Sequence, residues 1–262
     1  MTPLDTAHAA MEASGDDTAR LRFFDRLTDA ELFLMLTEEP TGDTLSPDLI
    51  DTAEGRFALA FDTEQRFAEF AGKITPYAAL SGRALAAMLA GQGVGLALNP
   101  DVAPSAILLP ADALVWLVET LAKQPESIAA RPTALSTPKG LPELLLTALD
   151  AKLAAATGLA QAAWLVAVTY DTGAKGHMLA FVDPRPGAES ALTRAMAEAL
   201  TFSGIEAGWL DVAFVTAQDP IAGRLARVGL RFDLPQSEHG AAQDETPGQN
   251  PGMNPDRPPR LR

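Results

Sequence analysis

The chain has 262 residues, 47% hydrophobic and 21% charged, with a formal net charge of -14 and no cysteine. That is the composition of a folded globular protein, long enough for two domains of about 100 to 130 residues. Its negative field repels phosphate backbones and anionic lipid, so neither nucleic acid nor a membrane is an expected partner, and the lack of cysteine excludes disulfides, thiolate nucleophiles and thiolate metal sites.

The first residues, MTPLDTAHAAMEASGDD, have no basic n-region and no apolar h-region, so they read as a loose end rather than a signal peptide. With a cysteine-free body this points to a cytoplasmic protein. The first helix is expected from Asp16, where Asp16, Asp17 and Thr18 offer capping oxygens and negative charge at the positive end of the helix dipole; Leu21, Phe24 and Leu27 follow at helical spacing. Glu31–Thr37 is a short apolar run read as a strand. Gly55–Phe61 alternates Phe57, Leu59 and Phe61 on one face, the period of a strand, and Asp62 then reads as the cap of a helix carrying Phe67 and Phe70, with Gln65 completing a capping box. A further helix over about Ser81–Ala90 turns Leu85, Met88 and Leu89 inward.

The stretch Val94–Ala122 holds a strand (Val94–Leu98), the turn Asn99-Pro100-Asp101, a second strand (Ser105–Leu109) and a helix opening on Pro110. Leu114, Trp116, Leu117, Val118 and Leu121 leave that helix little polar face, so it is expected to be covered on most sides. Residues 123–140, with three prolines and no hydrophobic period, read as a linker. Beyond it come a helix with Leu141, Leu145, Leu149 and Leu153 at i, i+4 spacing, a hairpin of Ala163–Tyr170 and His177–Asp183 across DTGAKG, a helix over Ala188–Thr201, a strand over Gly208–Val215, a short helix at Pro220–Val228 and a strand at Leu230–Phe232. Residues 235–262 are rich in Gly and Pro, nearly devoid of apolar side chains, and read as a flexible tail ending in Arg257, Arg260 and Arg262. The expected class is therefore α+β, with two mixed α/β layer domains at 16–122 and 141–234, each a small sheet covered by helices.

No catalytic constellation is legible. Of the three histidines, His8 and His239 fall in the expected loose ends and His177 stands alone at a strand start, without the positioned partner that general-base work needs. Gly91, Gly93 and Gly95 precede a strand, the wrong polarity for a phosphate-binding loop, which follows a strand and opens a helix. Two readings stay open. In one, Asn99, Pro100, Asp101, Asp62 and Thr63 line a groove at a sheet edge that binds an unknown protein or a small polar ligand; Pro100 pushes Asn99 to an extended backbone and aims its amide outward or into the turn. In the other, Asp62, Asp101 and Asp112 converge as a carboxylate-based enzyme site, with or without a metal. No cofactor is implied by either.

Four pieces in order resemble the SseB family, the enhanced serine sensitivity proteins: Phe23-Phe24 followed by Glu31-Leu32, the segment GRFALAFDTEQRF, Tyr77 before the Gly82 helix, and GLALNPDVAPS. The likeness covers roughly Leu21–Leu121, with weaker landmarks after the linker, and it departs from the family pattern at Asp62 and at Asp101, where Gly is more usual. It implies a cytoplasmic bacterial protein from a family named for altered tolerance of serine, and it carries over no catalytic residue and no cofactor.

Overall fold

The computed structural model describes residues 1–40, 44–122, 130–204 and 210–235. In chain order the elements are α1 (Pro3–Ser14), α2 (Asp17–Asp29), β1 (Glu31–Met35), β2 (Leu49–Thr52), β3 (Gly55–Phe61), α3 (Glu64–Ala71), β4 (Tyr77–Ser81), α4 (Gly82–Leu89), β5 (Val94–Leu98), β6 (Ile107–Leu109) and α5 (Ala111–Ala122). They continue with β7 (Pro132–Ser136), α6 (Glu143–Ala155), β8 (Ala162–Tyr170), β9 (Lys175–Val182), α7 (Glu189–Phe202), β10 (Leu210–Val215), α8 (Pro220–Val228) and β11 (Leu230–Asp233). The class is α+β, as the patterning implied.

The first sheet runs β4-β1-β3-β5-β6, with β2 also paired to β3. Its centre is the parallel pair β3 and β5, in register at Ala60 and Leu98; the other pairings are antiparallel. Alternation along β3 sends Ala58 and Ala60 to one face and Phe57, Leu59 and Phe61 to the other. On the first face they join Phe23 and Leu27 of α2, Leu85 and Leu89 of α4, and Leu114 and Leu117 of α5. Burying each of those large side chains fully stabilises the fold by roughly 1.5–3 kcal/mol. On the second face Phe67 of α3 lies edge-on to Phe61, with ring centroids 5.8 Å apart. Two glycines permit the closest approaches. A Cβ on Gly82 would stand 1.8 Å from the Leu27 carbonyl oxygen where α4 begins against α2, and one on Gly95 would stand 2.4 Å from the Leu109 carbonyl oxygen.

The second sheet runs β10-β9-β8-β11, with β7 also paired to β8. The leucine stripe of α6, through Leu145, Leu149 and Leu153, packs with Leu192 and Met196 of α7 on Leu179 and Phe181 of β9. The helical layers of the two halves face one another. Phe202, at the end of α7, is buried in the core of the first half, and a charge cluster spans the seam. Lys152 Nζ of α6 lies 2.8 Å from Asp25 Oδ1 and 2.6 Å from Asp29 Oδ2 of α2. Glu198 of α7 meets Arg83 of α4 through two hydrogen bonds of 2.6 and 2.9 Å.

Several expectations are corrected. The N-terminal end is not loose: α1 begins with a capping box in which Thr2 and Asp5 bond each other's backbone N–H, and His8 is buried edge-on against Phe23 at 5.9 Å. The cap of α3 is Thr63, whose hydroxyl accepts from the Arg66 N–H, rather than Asp62. Helix α5 is covered on most of its circumference, as expected, and leaves the stripe Asp112, Trp116, Glu119 and Ala122 exposed. Trp116 is 39% exposed and rests on the Phe24 ring. The strands β2, β4 and β7 escaped the periodicity reading; each is four or five residues long and has no fully buried residue. Within the stretch read as a linker, residues 130–140 include β7, while residues 123–129 lie outside the described residues, as does the expected tail from residue 236 onward. His239 falls in that tail.

Candidate functional site

Parallel pairing sets the carboxyl ends of β3 and β5 side by side, so Asp62 and Asn99, the residues that follow each strand, meet at one sheet edge. Asn99 N–H donates to the Ala60 carbonyl at 2.9 Å, and Asn99 Oδ1 accepts from the Asp62 N–H at 3.0 Å. Its Nδ2 donates to Ser105 Oγ at 3.0 Å, and the Ser105 hydroxyl in turn donates to Asp5 Oδ1 at 2.6 Å. One amide therefore ties the two strand ends and the far arm of the 99–105 loop to α1.

Arg66, one turn into α3, closes the cluster. Its Nη1 donates to both oxygens of Asp62, at 2.7 and 3.0 Å, and its Nη2 to Asp5 Oδ2 at 2.6 Å. Thr2 completes it: its hydroxyl donates to Asp62 Oδ2 at 2.6 Å, and its N–H to Asp5 Oδ2 at 2.8 Å. Two carboxylates are thus held by one guanidinium, Asp62 on Nη1 and Asp5 on Nη2, through charge-assisted hydrogen bonds. Burial works against the charge on Asp5, but hydrogen bonds from Arg66, Ser105 and the Thr2 N–H outweigh it and hold the carboxyl well below the usual carboxylate range. The same contact, chiefly with Asp5, raises Arg66.

Of the residues singled out in the sequence, the structure brings Asn99, Asp62 and Thr63 together and buries Asn99 completely. Asn99 has φ of +50°, not the extended backbone that a following proline favours, and its amide points inward. The two side-chain hydrogen bonds supply what the left-handed conformation costs, and Asn tolerates that region better than most residues. Pro100 is half-buried and Asp101, at φ of +59°, is exposed. Asp112 is an exposed first-turn residue of α5. The three carboxylates of the enzyme reading are thus in unlike settings, with Asp62 neutralised by Arg66 and the other two in solvent. Among the described residues no group of three or more His, Cys, Asp or Glu is placed to hold a metal ion, and no helix is long and apolar enough to cross a membrane.

The sequence reasoning missed Thr2, Asp5, Arg66 and Ser105. Two signals for them were present: the Thr2-Pro3-Leu4-Asp5 capping box, and the i, i+4 spacing of Asp62 and Arg66. Asn99→Ala is expected to lower stability by about 2–3 kcal/mol, because the Asp62 N–H and the Ser105 hydroxyl lose their partner in a buried site. Urea unfolding measures this, and a loss below about 0.5 kcal/mol would show the amide to be dispensable.

Comparison with protein families matches residues 4–116 to the SseB protein N-terminal domain. Over these residues the chain is similar to that domain. The resemblance carried by Phe23-Phe24, the Gly55–Phe61 strand and the Asn99 turn is borne out over this region, which extends further toward the N-terminus than the resemblance did and takes in most of α1. Comparison with curated proteins and with solved structures found no match. The matched region runs from the Leu4 anchor of α1 to Trp116 in α5, so the whole Asn99 cluster except Thr2 lies inside it.

Proposed function

We propose that this chain is a non-catalytic binding or regulatory module of the cytoplasm. In it the Asn99 cluster is a frame, and the loop Pro100–Pro104 is the surface offered to a protein partner. The observation that carries this reading is the contrast within one turn: Asn99 is fully buried and bonded at both ends of its amide, while Asp101, two residues on, is exposed at a fixed left-handed backbone angle. A loop held rigid by its own scaffold loses little entropy on binding, and functional contacts concentrate on such loops. Asn99 and Asp62 act as positioning residues here, and Thr63 starts the helix that brings Arg66 to them. The acidic body of the chain favours a partner that presents a basic patch.

The carboxylate-enzyme reading has no supporting observation of this kind. The test is a comparison of wild type with Asp101→Lys in capture from a cell lysate. The expected outcome is at least a tenfold weaker recovery of the wild-type partner at an unchanged melting temperature, as suits a charge reversal at an exposed loop. Equal recovery by both proteins would remove the loop from the interface.

A further inference from the structure

The charge cluster at the seam between the two halves contains three carboxylates and two paired cations. Asp25 and Asp29 come from α2, Glu198 from α7, Arg83 from α4 and Lys152 from α6. Lys152, Glu198 and Asp25 are each more than nine-tenths buried. Glu198 is well served, bidentate to Arg83. Lys152 directs a hydrogen bond to Asp29 Oδ2 at 2.6 Å and a longer one to Glu198 Oε2 at 3.4 Å. Asp25 is the poorly served member. Its Oδ1 lies 2.8 Å from Lys152 Nζ, an ammonium it shares with Asp29 and Glu198, and no other donor reaches that oxygen.

A buried carboxylate whose close donor is one lysine shared with two other carboxylates, and which lies next to a second carboxylate on its own helix, is the group in such a cluster that takes up a proton first. We propose that the seam is a proton-sensitive latch: uptake of one proton at Asp25 on acidification removes the surplus negative charge and tightens the docking of α2 against α6 and α7.

The charged groups around Asp25 are Asp29 and the neighbouring Arg26 on α2, Lys152 on α6, and Arg83 and Glu198 on α4 and α7. Helix α1 also packs on α2, but its Asp5 is committed to Arg66 and Ser105, and its His8 lies against Phe23. Burial pushes the Asp25 carboxyl up, and Lys152 offsets this only in part, with Asp29 adding to the rise. Glu198 moves the other way: burial opposes its charge, but Arg83 and Lys152 hold it below its ordinary value. The two groups have opposite consequences. A raised carboxyl contributes stability at low pH that is lost as pH rises through its folded value, whereas a lowered one contributes stability above the ordinary range that is lost on acidification. A window therefore exists, above the ordinary carboxylate range and around the raised value of Asp25, in which lowering the pH strengthens the seam.

The experiment compares melting temperatures of the full chain and of Asp25→Asn from pH 8 down to the ordinary carboxylate range near pH 4. Asn has the shape of the protonated acid, so the variant is expected to melt higher than wild type at pH 8, by on the order of 3 °C or more, and this advantage is expected to shrink as pH falls toward the ordinary carboxylate range. A difference that is the same at every pH, or one that grows on acidification, overturns the proposal. Direct titration of the Asp25 carboxyl carbon by NMR in wild type decides the matter independently of how the variant folds. A midpoint above the ordinary value of about 3.9 supports the latch, and one at or below it overturns it.

Discussion

Lys152→Met is expected to destabilise the folded protein by about 3–5 kcal/mol, a loss large enough to consume much of the stability of an ordinary domain. The ammonium is buried and serves three carboxylates at 2.6, 2.8 and 3.4 Å. Removing it leaves Asp25 and Glu198 in the seam with less counter-charge than their burial requires. Asp29, about a third exposed, is partly relieved by water. Most of the cost falls on the contact between halves, because α6 carries the lysine while α2 carries Asp25 and Asp29. Adding Asp25→Asn to Lys152→Met is expected to recover part of the loss, since the worst-served carboxylate is then neutral. Urea unfolding of the two variants against wild type measures both effects. A loss below about 1 kcal/mol for Lys152→Met would mean that water, not the lysine, compensates these acids.

Arg66→Met is expected to cost a similar amount, about 3–5 kcal/mol. It strands Asp5 and Asp62, whose side chains are only 1% and 3% exposed, in a cluster with no second cation among the contacts described. This variant also has a pH signature. Asp5 is held below its ordinary value of 3.8, so the stability it contributes is fully present above that value and is lost as pH falls through its lower folded value. The gap between wild type and Arg66→Met should therefore be widest near neutrality and close as pH falls below about 4. Denaturant midpoints from pH 7 to pH 3 check this, and a gap independent of pH would separate Arg66 from the ionisation of Asp5.

Much of the fold was legible because the strands and helices that form the core alternate or repeat their apolar residues cleanly. The Phe57, Leu59 and Phe61 alternation marks β3, the run Val94–Leu98 marks β5, and the leucines of α6 recur at i, i+4. What escaped was held by polar contacts or by short, exposed pairing. Helix α1 buries few large side chains, chiefly Leu4 and His8, so its composition reads as a loose end although its capping box was in plain view. At Asn99 the preference imposed by Pro100 was a sound local rule, overridden by two hydrogen bonds to residues 37 positions earlier and 6 later. The seam could not be read at all: Lys152 meets Asp29 across 123 residues and Arg83 meets Glu198 across 115, and no local pattern announces such partners. The candidate site was legible as a place, through Asp62, Thr63 and Asn99, but not in its inward orientation.

The central question is whether the exposed tip of the 99–105 loop, rather than the buried amide beneath it, meets a partner. A photoreactive residue placed at position 101, compared with one at the exposed Lys175 of the second sheet, tests this most directly. A single covalent adduct formed in the cell from position 101, and absent from position 175, is the predicted result. No adduct at 101, or equal labelling from both positions, would contradict it.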